Sequence, residues 1–286
     1  MSRAIVFGTV AADIVLRVPV VPPAGTLTNG HLLGWRLGGS SANIACALAA
    51  ARHDAELVGP VGSDTMAEAL LDDLRRRGVG TDRAVRMHGP SPRAFILLDE
   101  RGERTIIVVD QDSCVTSFRM REVPDLNGVD LVYVQGYCQY PVGIATAAPS
   151  ALIVTTPPSS ARTSWPADVV VGSEEQFQTG WLRSPFDSMR PLAGARLRWV
   201  VVTRGARGAD ACGRAGSLHV PACPAEQVDT TGAGDAFVAG LMHGLATGGD
   251  IVEAMRVGAA WGAAAVGRLQ SAPVSWDDLF DVPPSR

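Results

Sequence analysis

The stretch Asp229-Thr230-Thr231-Gly232-Ala233-Gly234-Asp235-Ala236-Phe237 places small residues, hydroxyls and a carboxylate at the start of an apolar, helix-periodic segment. The first backbone N–H groups of a helix have no partner within it, and with the positive end of the helix dipole they bind anions. A carboxylate beside a bound phosphate can take the proton of an attacking hydroxyl. The stretch therefore indicates phosphoryl transfer.

Asp235 is the candidate catalytic base. The simpler interpretation is an acidic residue that stabilises a helix N-terminus by up to about 1 kcal/mol, and for an isolated Asp that interpretation would be favoured. The run Gly232-Ala233-Gly234 changes the balance, because small residues let a phosphate approach the backbone closely. We therefore predict an anion cradle at Gly232, Ala233 and Gly234 with Asp235 as the adjacent base.

A second glycine-rich turn, Gly38-Gly39-Ser40-Ser41-Ala42-Asn43, also leads into a helix. In one interpretation it is a simple loop in which Ser40 or Ser41 caps the helix. In the other, the Gly39 N–H and the Asn43 amide contact substrate hydroxyls, because an amide supplies both donors and an acceptor.

Three further segments hold candidate ligand contacts, each with a simpler alternative. Asp13, five residues beyond the expected end of the first strand, could accept two vicinal hydroxyls or be a solvated loop residue. Thr203, Gly205 and Gly208 follow a predicted strand, where glycines would let a nucleotide approach, although an ordinary strand–turn has the same pattern. Arg104 could reach over an anionic group, but solvation at the surface is the usual state of a lone Arg.

Alternating strand and helix patterns predict an α/β fold. Short β-branched runs such as Leu131–Val134 and Trp199–Thr203 suit central parallel strands that are buried on both faces. Amphipathic segments such as Ser40–Arg52 and Asp64–Arg77 predict the helices between strands. We expect a mainly parallel sheet with helices on both faces, in a single domain over 1–286.

Extended segments around 15–37 and 93–109 do not fit this alternation. The first includes the predicted extended segment Arg17–Pro23, and the second has a hairpin turn at Glu100-Arg101-Gly102-Glu103. Together they predict a small, separate β-sheet that forms a lid.

The composition excludes several classes of function. The net charge of −4 argues against a nucleic-acid-binding surface. No apolar run reaches membrane-spanning length. The odd, scattered cysteines are typical of a reduced cytoplasmic protein, and the histidines show no metal-ligand spacing. Neither a Walker A sequence nor a dinucleotide fingerprint is present.

With these motifs in this order, the chain resembles the ribokinase-like (PfkB) carbohydrate kinases over nearly its whole length. The matching positions are Asp13, Gly25-Thr26, Gly38-Gly39 with Asn43, Gly59-Pro60-Val61-Gly62 with Asp64, Gly102-Glu103-Arg104-Thr105, Thr203 with Gly205 and Gly208, and Asp229 to Asp235. The last of these is the most specific.

The resemblance implies ATP- and Mg²⁺-dependent phosphorylation of a hydroxyl, usually a primary one, on a small sugar or nucleoside. It implies that Asp235 is the base, that Gly232, Ala233 and Gly234 form an anion hole, and that Asp13, Gly39 and Asn43 hold the substrate. Thr203, Gly205 and Gly208 would line the nucleotide site. The backbone of Asp229 and Thr231 would bind a monovalent cation such as K⁺. The implied fold is a Rossmann-like three-layer α/β/α sandwich with a β lid, and the implied assembly is a homodimer formed through the lid.

The sequence also departs from the family pattern. Where the family has Asn-x-x-Glu, tied to Mg²⁺ and phosphate, this chain has Ser173 and Gln176. Either Glu174 or Glu175 substitutes, or Mg²⁺ is held mainly by the nucleotide phosphates. Gln135-Gly136-Tyr137 replaces an acidic substrate contact of ribokinases, and Ser40 replaces a Lys.

An active small-molecule kinase is the interpretation we favour. A catalytically weakened relative that binds a sugar or nucleoside as a sensor is the alternative, and a nicotinamide-dependent dehydrogenase lacks its glycine fingerprint. The acceptor itself is left open, because Trp35, Arg93, Tyr137 and Tyr140 could stack on a base or flank a sugar.

Overall fold

A computed structural model describes residues 1–101, 104–109, 123–136, 141–158, 164–268 and 273. The predicted turn residues Gly102 and Glu103 and the candidate pocket residues Tyr137 and Tyr140 lie outside these ranges. Within them, no helix is both long enough and apolar enough to cross a membrane.

The described residues form both strands and helices. The strands are β1 (Arg3–Phe7), β2 (Ala11–Arg17), β3 (His31–Gly38), β4 (Asp54–Val58), β5 (Pro60–Val61), β6 (Val85–Arg86), β7 (Arg93–Leu98), β8 (Arg104–Val109), β9 (Leu131–Val134), β10 (Leu152–Thr155), β11 (Val169–Ser173), β12 (Trp199–Thr203), β13 (Ala209–Gly213) and β14 (Gly216–Val220). The helices are α1 (Ser40–Ala50), α2 (Thr65–Arg76), α3 (Pro141–Ala147), α4 (Pro185–Ala193), α5 (Ala233–Ala246) and α6 (Ile251–Val266).

Eight strands form the main sheet in the order β14-β13-β12-β11-β10-β9-β1-β4. The pairs from β12 to β4 are parallel, and β13 and β14 add an antiparallel hairpin at one edge. Central strands such as β9 are buried along their whole length, as their unbroken apolar sequence predicts.

Helices cover both faces of this sheet. Because successive strand residues point to opposite faces, Ala4 and Val6 belong to one apolar core while Ile5 and Phe7 belong to another. The first core is completed by α1, α2, α5 and α6, and the second by α3 and α4. The three-layer α/β/α arrangement expected from the sequence is confirmed.

A second, four-stranded sheet has the order β3-β2-β7-β8 and forms the predicted lid. Its first strand is not where the sequence placed it. We expected an extended segment at Arg17–Pro23, whereas β2 is Ala11–Arg17 and residues 18–23 are irregular. Asp13 therefore lies within a strand and not in a loop. It was misplaced because a buried acidic residue in a strand needs a partner that only the strand pairing reveals.

Candidate active site

A cavity of about 940 Å³ lies between the lid and the carboxyl ends of the main-sheet strands, the usual ligand position in open α/β sheets. It brings together most of the site residues predicted from the sequence. The predicted residues that line it are Asp13, Gly39, Asn43, Arg104, Glu175, Thr203, Gly205, Gly208, Thr231, Gly232, Ala233, Gly234 and Asp235. Asp229 and Glu174 are not among the lining residues.

Helix α5 starts at the predicted anion cradle. Gly232 is its N-cap with φ of 81°, a left-handed conformation that favours glycine. A Cβ added at Gly234 would meet no atom within 4 Å, so the space beside the first turn is open. Backbone N–H groups at an open helix start are suited to binding a phosphate.

Asp235 lies in the first turn of α5, and α1 holds both of its carboxylate oxygens. The Ser40 hydroxyl donates to Oδ1 at 2.5 Å, and the Asn43 amide donates to Oδ2 at 2.8 Å. Burial raises the pKa of Asp235, while these two hydrogen bonds and the charge of Arg104 act in the opposite direction.

The expectation that Ser40 or Ser41 caps α1 is wrong. The N-cap is Gly39, without a side-chain hydrogen bond, and its φ of 91° would strain other residues. Ser41 instead donates to Oε1 of Gln135 at 3.0 Å. The first-turn hydroxyls make tertiary contacts that the local sequence does not reveal.

Arg36, which we did not select from the sequence, joins two of the predicted residues. It faces Asp13 across the β2–β3 pair, with Nε 4.0 Å from Asp13 Oδ2. Its Nη1 donates to Asp229 Oδ2 at 2.7 Å, and Asp229 Oδ1 accepts from the Thr231 N–H at 2.8 Å. The lid therefore contacts the loop that precedes the anion cradle. The alternation of side chains along β3 could have predicted that Arg36 and Trp35 lie on opposite faces of the lid. It could not have predicted that Arg36 lies beside these two acids.

The environments of the two acids shift their pKa values in opposite directions. Burial raises the pKa of Asp13 from 3.8 to about 6, despite the nearby Arg36. Burial also acts to raise the pKa of Asp229, but hydrogen bonds from Thr231 and the Arg36 guanidinium outweigh it, so the pKa lies below the usual range.

Arg104 reaches from β8 to the other side of the cavity. Its guanidinium contacts the hydroxyl of Thr230 in the loop before α5. The lid thus places a positive charge next to the residues of the proposed anion cradle.

The predicted nucleotide segment lines the same cavity at the end of β12. Gly205 and Gly208 both have positive φ, 57° and 86°. A Cβ at Gly208 would lie 2.2 Å from the carbonyl oxygen of Val220, so the chain requires glycine there.

The segment that replaces Asn-x-x-Glu is largely engaged with its own surroundings. Glu174 pairs with Arg204 at 2.7 Å and also contacts Arg207. Gln176 Oε1 accepts from the Ser173 N–H at 2.9 Å. A hydrogen bond with Ser173 holds the pKa of Glu175 below its usual range, so this cavity-lining group is ionised at neutral pH.

Two candidate pocket residues, Trp35 and Arg93, do not line the cavity. Trp35 is not among the cavity-lining residues, is 41% exposed and, by strand alternation with Arg36, lies on the outer face of the lid. Arg93 pairs with Asp64 at 2.9 Å and does not line the cavity either. Gln135 accepts hydrogen bonds from the Thr9 N–H and hydroxyl at 3.0 Å and is buried, so its role here is structural.

Comparison with known proteins agrees with this arrangement. A family model described as pfkB family carbohydrate kinase matches residues 1–155 and 167–278. A ribokinase of Bacillus subtilis is 29% identical, with 90% of each chain covered. An ATP-dependent ribose-1-phosphate kinase of Halopiger xanaduensis is also 29% identical, with 96% of each chain covered.

A solved structure of a putative ribokinase from Agrobacterium tumefaciens superposes with a TM-score of 0.81, covering 97% of this chain and 96% of that one, at 21% identity. These comparisons give no support to the alternative of a sugar-binding sensor. The family match covers both the cradle at α5 and the glycine-rich turn at α1, and this chain belongs to the pfkB family of carbohydrate kinases.

Proposed function

We propose that the protein transfers the terminal phosphoryl group of ATP to a hydroxyl, preferably a primary one, of a small sugar or nucleoside. The observation that carries this proposal is the position of Asp235. It is one residue beyond the open Gly232–Gly234 cradle, and it lines the same cavity as Asp13, Asn43 and the Thr203–Gly208 segment. The proposed base, the proposed anion site and polar groups for an acceptor thus line one cavity.

The cavity residues divide into two binding sides. Asp13, Gly39 and Asn43 would orient the acceptor, and Thr203, Gly205 and Gly208 would accommodate the nucleotide, which supplies the phosphoryl group when bound. Asp235 would take the proton of the acceptor hydroxyl as that oxygen bonds to phosphorus and ADP leaves. N–H groups of the cradle and Arg104 would offset the charge on the transferred group.

The metal proposals follow from the available donors. Among the described residues no group of three His, Cys, Asp or Glu side chains could hold a metal ion. Mg²⁺ would therefore be bound mainly through nucleotide phosphates, with Glu175 as the nearby carboxylate, because Glu174 is paired with two arginines. We keep the backbone of Asp229 and Thr231 as the proposed site for a monovalent cation such as K⁺.

The test combines turnover with binding for Asp235→Asn. ATP consumption is measured with D-ribose, ribose 1-phosphate, D-fructose and adenosine as acceptors. With the best acceptor we expect kcat to fall by about 10²- to 10⁴-fold, the usual contribution of a general base, while the acceptor still raises the melting temperature. Asp72→Asn, an exposed acid on α2, is the matched control. Normal kcat in Asp235→Asn would refute the assignment, and ligand binding without any wild-type turnover would favour the sensor.

We further propose that 1–286 is one kinase domain that dimerises through the outer face of its lid. Trp35, Ile14, Phe95 and Ile107 are successive register partners across all four lid strands. On β2, β7 and β8 these residues alternate with cavity-lining residues. Trp35 and Ile107 are 41% and 52% exposed. An apolar row of this kind on a sheet favours a protein interface.

A further inference from the structure

Ser40 makes its tertiary contact with the proposed catalytic base. Asn43 is three positions later in the sequence, so both side chains lie on one side of the first turn of α1. Each donates to a different oxygen of Asp235, at 2.5 and 2.8 Å. The carboxylate is therefore held at two points by a helix that begins 195 residues earlier in the sequence.

A hydroxyl that donates to a carboxylate favours the ionised form of that carboxylate. Two effects disfavour the ionised form of Asp235: its burial, and the charge of a second acid, Asp13 on β2. Arg104 on β8 is the positive charge that faces Asp235, while Arg36 on β3 is directed at Asp13 and Asp229. Ser40 and Asn43 are thus the neutral donors that act on Asp235 beside this mixed set of charges.

We propose that Ser40 is a positioning residue, whose hydroxyl holds the Asp235 carboxylate in its ionised form and in a fixed orientation for proton transfer. It acts through Asp235, and the inference rests on the proposed role of Asp235 as the base. The simpler alternative is that the hydrogen bond only joins α1 to α5 and stabilises the fold.

The two explanations differ in their dependence on pH. If Ser40 stabilises the ionised carboxylate, Ser40→Ala raises the pKa of Asp235 further. The variant is then less stable than the wild type only at pH values at which Asp235 is ionised. The loss of stability then grows as the pH rises through that pKa. A contact that only joins two helices costs the same at every pH.

The experiment measures urea unfolding of the full chain between pH 5 and pH 8 for the wild type and Ser40→Ala. A hydrogen bond to a charged group corresponds to a shift of about one pH unit. We therefore expect Ser40→Ala to raise the unfolding constant more at the alkaline end of the series than at the acid end, by up to about tenfold. Ser40→Thr keeps the hydroxyl and should behave as the wild type.

Two controls separate Asp235 from the other titrating groups. In an Asp235→Asn background, the cost of Ser40→Ala should become independent of pH, although Asp13 still titrates. Ser41→Ala removes the neighbouring hydroxyl, which donates to Gln135, and its cost should not vary with pH. If Ser40→Ala does not fold, Ser40→Cys, with a weaker donor of similar size, replaces it in the same series.

The kinetic measurement uses ATP and the acceptor of the panel that turns over fastest. Ser40→Ala should move the acid limb of the pH–kcat profile upward by about one unit. If the loss of stability in Ser40→Ala is the same at every pH and the acid limb does not move, the proposed role of Ser40 is overturned, while that of Asp235 is not. Normal turnover in Asp235→Asn would instead overturn the proposed base, and the positioning role of Ser40 with it.

Discussion

Asp13 is an acidic side chain in a position that disfavours its charge. It is only 6% exposed, lies on the cavity side of β2, and shares that cavity with Asp235. Burial raises its pKa from 3.8 to about 6, so the folded protein binds this proton more tightly than the unfolded chain does. Stability from this group is therefore present at low pH and is lost as the pH rises through 6.

Because folding raises the pKa of Asp13, we predict that Asp13→Asn stabilises the protein at neutral and alkaline pH. The gain in unfolding free energy at pH 8 should approach about 3 kcal/mol and shrink as the pH falls towards 5. Urea unfolding of the wild type and of Asp13→Asn at a series of pH values measures it. A difference from the wild type that stays constant between pH 5 and pH 8 would contradict the pKa assignment.

Among the elements, α5 and α6 pack against each other at unusually short distances. A Cβ at Gly258 would lie 2.8 Å from the Phe237 carbonyl oxygen, and one at Gly240 would lie 2.9 Å from the Gly258 Cα. Phe237 follows Asp235 by two residues, so this contact also sets the position of the base. The absence of a side chain at these glycines allows the two helices to approach this closely.

We predict that Gly258→Ala destabilises the protein by about 1–2 kcal/mol, because overpacking outweighs the helix-propensity gain of about 1 kcal/mol. It should also lower kcat by displacing the start of α5. Gly262→Ala is the milder comparison in the same helix, since its Cβ would lie 3.2 Å from the nearest atom, the Ala233 carbonyl oxygen, and it should destabilise the protein less than Gly258→Ala. Chemical unfolding and turnover measure both, and a Gly258→Ala protein as stable as the wild type would show that the helices separate easily.

Elements with a strong local signal were predictable. The strands β9 and β12 have the predicted bounds. Helix α6 begins at a capping box formed by Asp250 and Glu253, which is a local sequence pattern. Helix α4 was not predicted; it contains Pro191 in its interior, which conceals its helical pattern. A hidden element of this kind is recovered only when tertiary packing is known.

At the scale of the whole molecule, only part of the candidate site could be predicted from the sequence. The cradle and Asp235 are adjacent in sequence, so their type and spacing were sufficient. The contacts of Ser40 with Asp235 and of Arg36 with Asp229 join residues 195 and 193 positions apart. Such pairs depend on how the lid and α1 pack against α5, which no local pattern encodes.

The lid also determines the predicted assembly. If its outer face forms a homodimer, Trp35→Glu places a charge in the apolar row, and burying that charge without a partner is costly. We expect sedimentation velocity to show twice the chain mass for the wild type and the mass of a single chain for Trp35→Glu. The melting temperature should rise with protein concentration only for the wild type, because association stabilises the folded state.

Leu27→Glu is the matched control, because Leu27 is 88% exposed and lies outside the four lid strands. Its sedimentation should equal that of the wild type. Ile107→Glu, at the other end of the row, should dissociate the dimer as Trp35→Glu does, since both residues belong to the same face. A wild type that sediments as one chain at all concentrations would show that there is no dimer. A Trp35→Glu protein that remains a dimer would place the interface elsewhere. Because Arg36 and Arg104 lie on strands of the same sheet, dissociation should also reduce turnover by loosening the lid over the acceptor.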